Sequence, residues 1–464
     1  MHEDFTRQGT PSLLFVSFVF VSTFNPLETV VKRDELSSAV KKALDAQPVI
    51  DMHTHLYSPA FGTPVSNATG ETDPNGLLLW GIDELVTYHY LIAEVFRVVP
   101  PSALPYEKFW AMSKTQQADH IWKHLFVERT PISEACRGVL TTLKKLGLDP
   151  NERTLEPYRK WFAQQNPDAY IDHVMKIANV SSITMTNGVF DDNERNRWLA
   201  NPSIGSDARF TPVLRFDTLL CDWPAAGRKI AEWGYDVGPE VNDRTIEGVR
   251  KFLRDWLDRT KSIYMAVSLP PDWRYPADPS DAVAALGQQM LEKVVLHVAL
   301  ERGLPFAMMI GSRRGVNPAL RDAADMGGVS DVKSVTNLCH RFPANKFFVT
   351  MLSRENQHEM CVAARKFGNL MLFGCWWFLN IPSLIEEIER MRFELLGTSF
   401  IPQHSDARIL DQLIYKWDHS RQIIAKVLTD KYADLMATGW RVTPEVIARD
   451  AKLLLADNFT NFIK

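Results

Sequence analysis

Cysteine is scarce and shows no pairing pattern. The five, at 136, 221, 339, 361 and 375, are odd in number, scattered and never arranged as Cys-x-x-Cys. That excludes a disulfide framework and a cysteine-built zinc site, and it points to reduced thiols in a cytoplasmic protein. No long hydrophobic run is present either. Residues 12–24 are the one apolar stretch that resembles a targeting signal, and they fall short of the roughly 20 residues a membrane span needs. Glu3 and Asp4 precede it with Arg7 alone to balance them, and no small-x-small cleavage site follows. Residues 1–26 are therefore read as a non-signal extension. A basic stripe is missing too: the net charge is −4 and the pI near 6.3, which gives no electrostatic footprint for nucleic acid. Short internal repeats and low-complexity tracts are also absent.

What remains is an ordinary globular composition, 45% apolar and 23% charged, in 464 residues. Apolar runs of strand length recur at Val49–Asp51, Val180–Met185, Phe210–Phe216, Ile263–Leu269, Pro305–Ile310, Lys346–Leu352, Leu370–Phe373 and Thr398–Pro402. Amphipathic stretches such as Ile246–Leu257, Ala282–Arg302 and Leu384–Leu396 lie between most of them, and Leu27–Ala46 reads as a helix before the first. Strand and helix in alternation imply a parallel sheet. Eight repeats predict an α/β fold of the (β/α)₈ TIM-barrel type over residues 27–464, with its active site at the C-terminal strand ends. One stretch breaks the rhythm. From about 76 to 178 the periodicity is helical with no strand, which predicts a helical insertion after the first strand.

The strand ends carry the chemistry. In Asp51-Met52-His53-Thr54-His55 the two histidines are two apart, so an extended strand points both to one side. Two converging imidazoles make half of a metal site, although histidines also sit on strands as hydrogen-bonding neutrals. At the other end of the chain, His404 and Asp406 share a face if 399–406 is extended. Arg215, Trp376, Trp377 and Arg408 also fall at strand ends, where a barrel keeps its binding residues.

His53-Thr54-His55 on a first strand, with Asp406 closing the last, resembles the amidohydrolase superfamily, and within it the uronate (glucuronate) isomerase family. Tyr88-His89-Tyr90 followed by Arg97 resembles that family's His-Tyr…Arg stretch. Trp122-Lys123-His124-Leu125 with Arg129 resembles its Trp-x-His-Leu segment. Phe373-Gly374-Cys375-Trp376-Trp377-Phe378 and Ser405-Asp406-Ala407-Arg408 resemble its tandem-tryptophan run and its Thr-Asp-Ser-Arg. Two stretches depart from the pattern: Met185-Thr186-Asn187-Gly188-Val189-Phe190-Asp191-Asp192 stands where the family has Thr-Thr-Asp-Asp-Pro after the second strand, and Met309 stands where the family has histidine. His404, at a usually apolar position, is an extra ligand or a hydrogen-bonding neighbour.

The resemblance implies a metal-dependent aldose–ketose isomerase of a sugar acid, with a hydrolase or decarboxylase of the same superfamily as the alternative. His53, His55 and Asp406 would bind a divalent ion, zinc by ligand type. Arg408 is the expected carboxylate partner. Arg215, Trp376 and Trp377 are expected in substrate binding, and Asp406, His89 and Tyr90 in catalysis. The expected partner is a small molecule, with neither nucleic acid nor membrane; homo-oligomerisation is left open.

Overall fold

The computed structural model describes residues 30–464, so the extension and its apolar run lie outside the described residues. Seven parallel strands form the main sheet in the order β1 (Val49–Thr54), β2 (Val180–Gly188), β3 (Phe210–Arg215), β4 (Met265–Leu269), β5 (Phe306–Ile310), β8 (Phe347–Met351) and β9 (Leu370–Leu372). Two short strands, β6 (Ser312–Arg313) and β7 (Met326–Gly327), make a separate antiparallel hairpin after β5. Neighbours in the sheet are sequential in the chain, as in a TIM-like barrel. β4, β5 and β8 are buried along their whole length, the mark of a parallel sheet covered on both faces.

The two faces build different cores. Met52, Val213, Ala266, Ala307, Met309 and Phe348 share one cluster. Met265, Val267, Phe306, Met308, Phe347 and Val349 belong to the larger core with the helices. Alternation along each strand thus sends one set inward and the next outward. The helix Asp243–Thr260 shows how the outer layer is specified. Asn242 caps its start by accepting from the Thr245 N–H, and Ile246, Val249, Phe252, Leu253, Trp256 and Leu257 are buried at helical spacing. It ends at Lys261, whose φ of 57° is left-handed.

The eighth expected strand, Thr398–Pro402, is reduced to a single parallel bridge, Phe373 to Ile401. Proline has no N–H to donate to a ladder, so Pro402 cannot extend it. The backbone instead meets the other sheet edge a little later: Asp406 N–H donates to His53 O at 3.1 Å, and His55 N–H to Ala407 O at 2.8 Å. The first helix also starts later than expected, at Leu36. Between β1 and β2 lie seven α-helices, from Ile82 to Ala178. Asp411, at the head of the helix Gln412–Ala437, anchors this stretch by accepting from Gly81 N–H at 2.7 Å and from the Tyr170 hydroxyl. Among the described residues no helix is long and apolar enough to cross a membrane.

Candidate active site

The backbone pairing of 53–55 with 406–407 brings three side chains together. His53 Nε2 and His55 Nε2 each lie 3.4 Å from Asp406 Oδ1. One ligand atom from each residue falls within 4.8 Å of the others. The imidazole rings are nearly perpendicular, at 84°, with centroids 5.1 Å apart. His53 Nε2 and Asp406 Oδ1 are buried without a hydrogen-bond partner. Buried polar atoms are rarely left so, and two that face a common point fit a cation between them. Burial pushes the His55 imidazole down to about 4, leaving it neutral and able to ligate. Burial alone would raise the Asp406 carboxyl, but His53 and His55 outweigh it and hold the group well below the usual carboxylate range.

Asp406 sits in a left-handed backbone conformation, φ 52°, which few non-glycine residues adopt. The peptide before it is held from both sides. Asp51 accepts the Ser405 N–H at 3.1 Å and the Trp417 indole N–H at 2.8 Å. Lys416, only 3% exposed, donates its ammonium to Ser405 O at 2.6 Å. A buried acid and a buried base thus fix the turn that aims Asp406.

A cavity of about 520 Å³ opens beside this centre, lined by His55, His89, Arg215, Trp376, Trp377, Asp406 and Arg408 among others. The arginines differ in their commitments. Arg215 is gripped by Asp217 at 2.6 to 3.0 Å and by Ser268 Oγ at 3.0 Å. Arg314, on the β6–β7 hairpin, pairs with Asp325 and lies 5.5 Å over the Trp377 ring. Arg408 has no side-chain hydrogen bond or ion pair among the described residues, so its fork is open to an anion. His89 packs edge-on against Trp377 at 5.7 Å, and burial pushes its imidazole down to about 3. Tyr90 is placed differently from His89. Its hydroxyl is enclosed and without a partner, and Tyr88 reaches the cavity wall in its stead.

A uronate isomerase of Bacillus halodurans is 50% identical in sequence, with a TM-score of 0.86 over 94% of this chain and 97% of its own. The chain belongs to the uronate isomerase family. That family lies within the amidohydrolase superfamily. A uronate isomerase of Thermotoga maritima, 14% identical with a TM-score of 0.73, covers 94% of this chain and 98% of its own. A glucuronate isomerase of Caulobacter crescentus, 17% identical with a TM-score of 0.71, covers 93% and 94%. These last two share the fold. No protein-family model and no curated protein matches the sequence.

Several residues around this candidate site went unmarked in the sequence. Asp51 precedes His53 and His55 at the same two-residue spacing, so an Asp-x-His-x-His motif was there to be read, although β1 is irregular between Asp51 and Thr54. Lys416 gave no signal, because a lysine in a long helix reads as solvated. Tyr57 and Glu194 also line the cavity. Glu194 sits three residues after the helix cap Asp191 and reads as a capping acid, yet its carboxylate turns back to β2. Burial pushes it up to about 7 against the pull of its hydrogen bonds. His404 is fully enclosed with both ring nitrogens unpartnered, its ring 5.3 Å from that of His53. It lies outside the three-residue cluster.

Proposed function

We propose that the chain is a metal-dependent aldose–ketose isomerase of a uronate such as D-glucuronate, an intramolecular oxidoreductase. The observation that carries the proposal is the convergence of His53, His55 and Asp406 beside an uncommitted Arg408, in a chain half identical to a uronate isomerase. His53, His55 and Asp406 would hold the ion, and two nitrogens with a carboxylate suit zinc. When bound, the ion supplies Lewis acidity toward a substrate oxygen.

The remaining chemistry falls to the chain itself. Arg408 takes the substrate carboxylate through two parallel hydrogen bonds, with Arg215 as a second positive wall. Trp376 and Trp377 pack on the sugar's apolar face. The reaction moves a proton between C1 and C2 through an enediol, which requires a base beside the reacting carbons. Asp406, ionised, and His89, neutral, are the candidates for that base; Tyr90, expected beside them, has its hydroxyl enclosed away from the cavity, so the phenol on the wall is that of Tyr88. The same reading takes residues 27–464 as one eight-stranded (β/α)₈ barrel, with 76–178 inserted after β1 to cover its mouth and exclude water. The pairings of Ile401, Asp406 and Ala407 with both sheet edges support that closure. Five free cysteines accord with a reducing, cytoplasmic setting. β5 and β8 carry no histidine, so no observation favours the hydrolase alternative.

The test is turnover. Metal-replete protein incubated with a panel of uronates should interconvert at least one with its keto form, followed by NMR. No interconversion of any member overturns the proposal.

A further inference from the structure

Tyr57 lies two residues past His55, on the cavity wall formed by the ends of β1 and β2. Its ring packs on Phe61 at 5.1 Å. Its hydroxyl lies 2.9 Å from Glu194 Oε2 and 3.4 Å from Thr186 O. Glu194 is 2% exposed, and every group around its carboxylate is a donor. Asn187 Nδ2 reaches Oε1 at 2.6 Å, and Gly188 N–H reaches Oε2 at 2.7 Å. Ionised, the carboxylate accepts from Tyr57 as well; protonated, it donates to Tyr57 and the phenolic hydrogen turns to Thr186 O, so in either form that hydrogen is committed. With its one hydrogen committed, the phenolic oxygen has only lone pairs to offer. The complementary partner is a hydroxyl donor, because a carboxylate oxygen brought to this atom would meet only lone pairs, with the Glu194 carboxyl behind them.

We propose that Tyr57, locked by Glu194, is a specificity residue that accepts a hydrogen bond from one hydroxyl of the bound sugar acid. This rests on the reading of the cavity as a uronate site. It gives the cavity a cation for the carboxylate, Arg408, and a separate acceptor for a hydroxyl, Tyr57. Glu194 acts through Tyr57 and is a positioning residue. Because its carboxylate serves three donors, an amide in its place cannot serve all of them without turning an N–H toward one.

The experiment compares wild type, Tyr57→Phe and Glu194→Gln on the parent uronate and on its 3-, 4- and 5-deoxy analogues, with thermal midpoints to establish folding. Tyr57→Phe should lower kcat/KM roughly tenfold on the parent, the scale of one neutral hydrogen bond. On one analogue, the one lacking the hydroxyl that Tyr57 reads, variant and wild type should agree within about twofold. Glu194→Gln should reproduce that analogue dependence. A Tyr57→Phe variant equal to wild type on the parent overturns the proposal, as does an equal loss on all four substrates, which would mark a packing role. If Tyr57→Phe fails to fold, Glu194→Gln decides by the same pattern. Wild-type protein that turns over no uronate overturns the function and this proposal together, whereas turnover indifferent to Tyr57 overturns this proposal alone.

Discussion

At the scale of single residues, the candidate centre rests on groups whose ordinary behaviour the fold alters. His53→Ala removes one of the three proposed ligands, and elemental analysis should show the divalent ion lost from the variant and stoichiometric in the wild type. Lys416→Met keeps an unbranched side chain but removes the ammonium that holds Ser405 O. Supporting groups around metal ligands typically contribute 10–100-fold in affinity, so zinc affinity by chelator competition should fall by about tenfold or more. An unchanged affinity would mean that Asp51 and the backbone hold the turn unaided. Arg408→Lys replaces a fork by a point charge. Its kcat/KM should drop by roughly 10²-fold on uronates and much less on neutral aldoses. Equal losses would place Arg408 in the support of the fold.

At the scale of elements, β9 stops where Gly374 takes a φ of 61° to let the chain turn toward the tandem tryptophans. A Cβ there would lie 1.7 Å from His404 Nδ1, and Arg392 fixes the same peptide by donating to Gly374 O at 2.8 Å. Gly374→Ala should therefore destabilise by about 2–4 kcal/mol, combining overpacking with a left-handed alanine. His404→Ala in the same chain removes the clash and leaves only the backbone cost. The double variant should melt above Gly374→Ala, and a double variant no more stable would show that the ring was not the obstacle. This coupling also marks the limit of what the sequence discloses. The alternation of His53 and His55, and the close pair Asp406 and Arg408, were legible because strand geometry and short spacing act locally. Seven of eight strands were legible as apolar runs for the same reason. The eighth run, Thr398–Pro402, was read as an equal of the others, and Pro402 holds it to a single bridge. Glu194 and Lys416 were hidden because a buried charge on a helix differs from a solvated one only through neighbours distant in sequence, such as Tyr57 and Ser405.

At the scale of the whole molecule, the ionisable groups that folding buries set how stability varies with pH. Glu389 is fully buried, neither carboxylate oxygen has a hydrogen-bond partner, and Arg392 lies 3.8 Å away. Burial pushes its carboxyl from 4.5 up to about 8, with Arg392 pulling the other way. Glu194 is raised in the same sense, to about 7. Between 4.5 and these values the folded chain binds more protons than the unfolded one, so their contribution is complete below 4.5 and is lost as pH rises through them. His89 works oppositely. Lowered from 6.5 to about 3 by burial, it contributes fully above 6.5 and loses that contribution as pH falls. Above 6.5 the His89 contribution is therefore flat, and the two carboxyls pull stability down. The thermal midpoint of the wild type should decline between about pH 6.5 and pH 8.5 by several degrees. Glu389→Gln places a neutral isostere beside Arg392 and should lose most of that decline while matching or exceeding the wild type at the alkaline end. Parallel slopes for the two proteins would mean that Glu389 stays ionised across the window and that the Arg392 charge, rather than a proton, neutralises it.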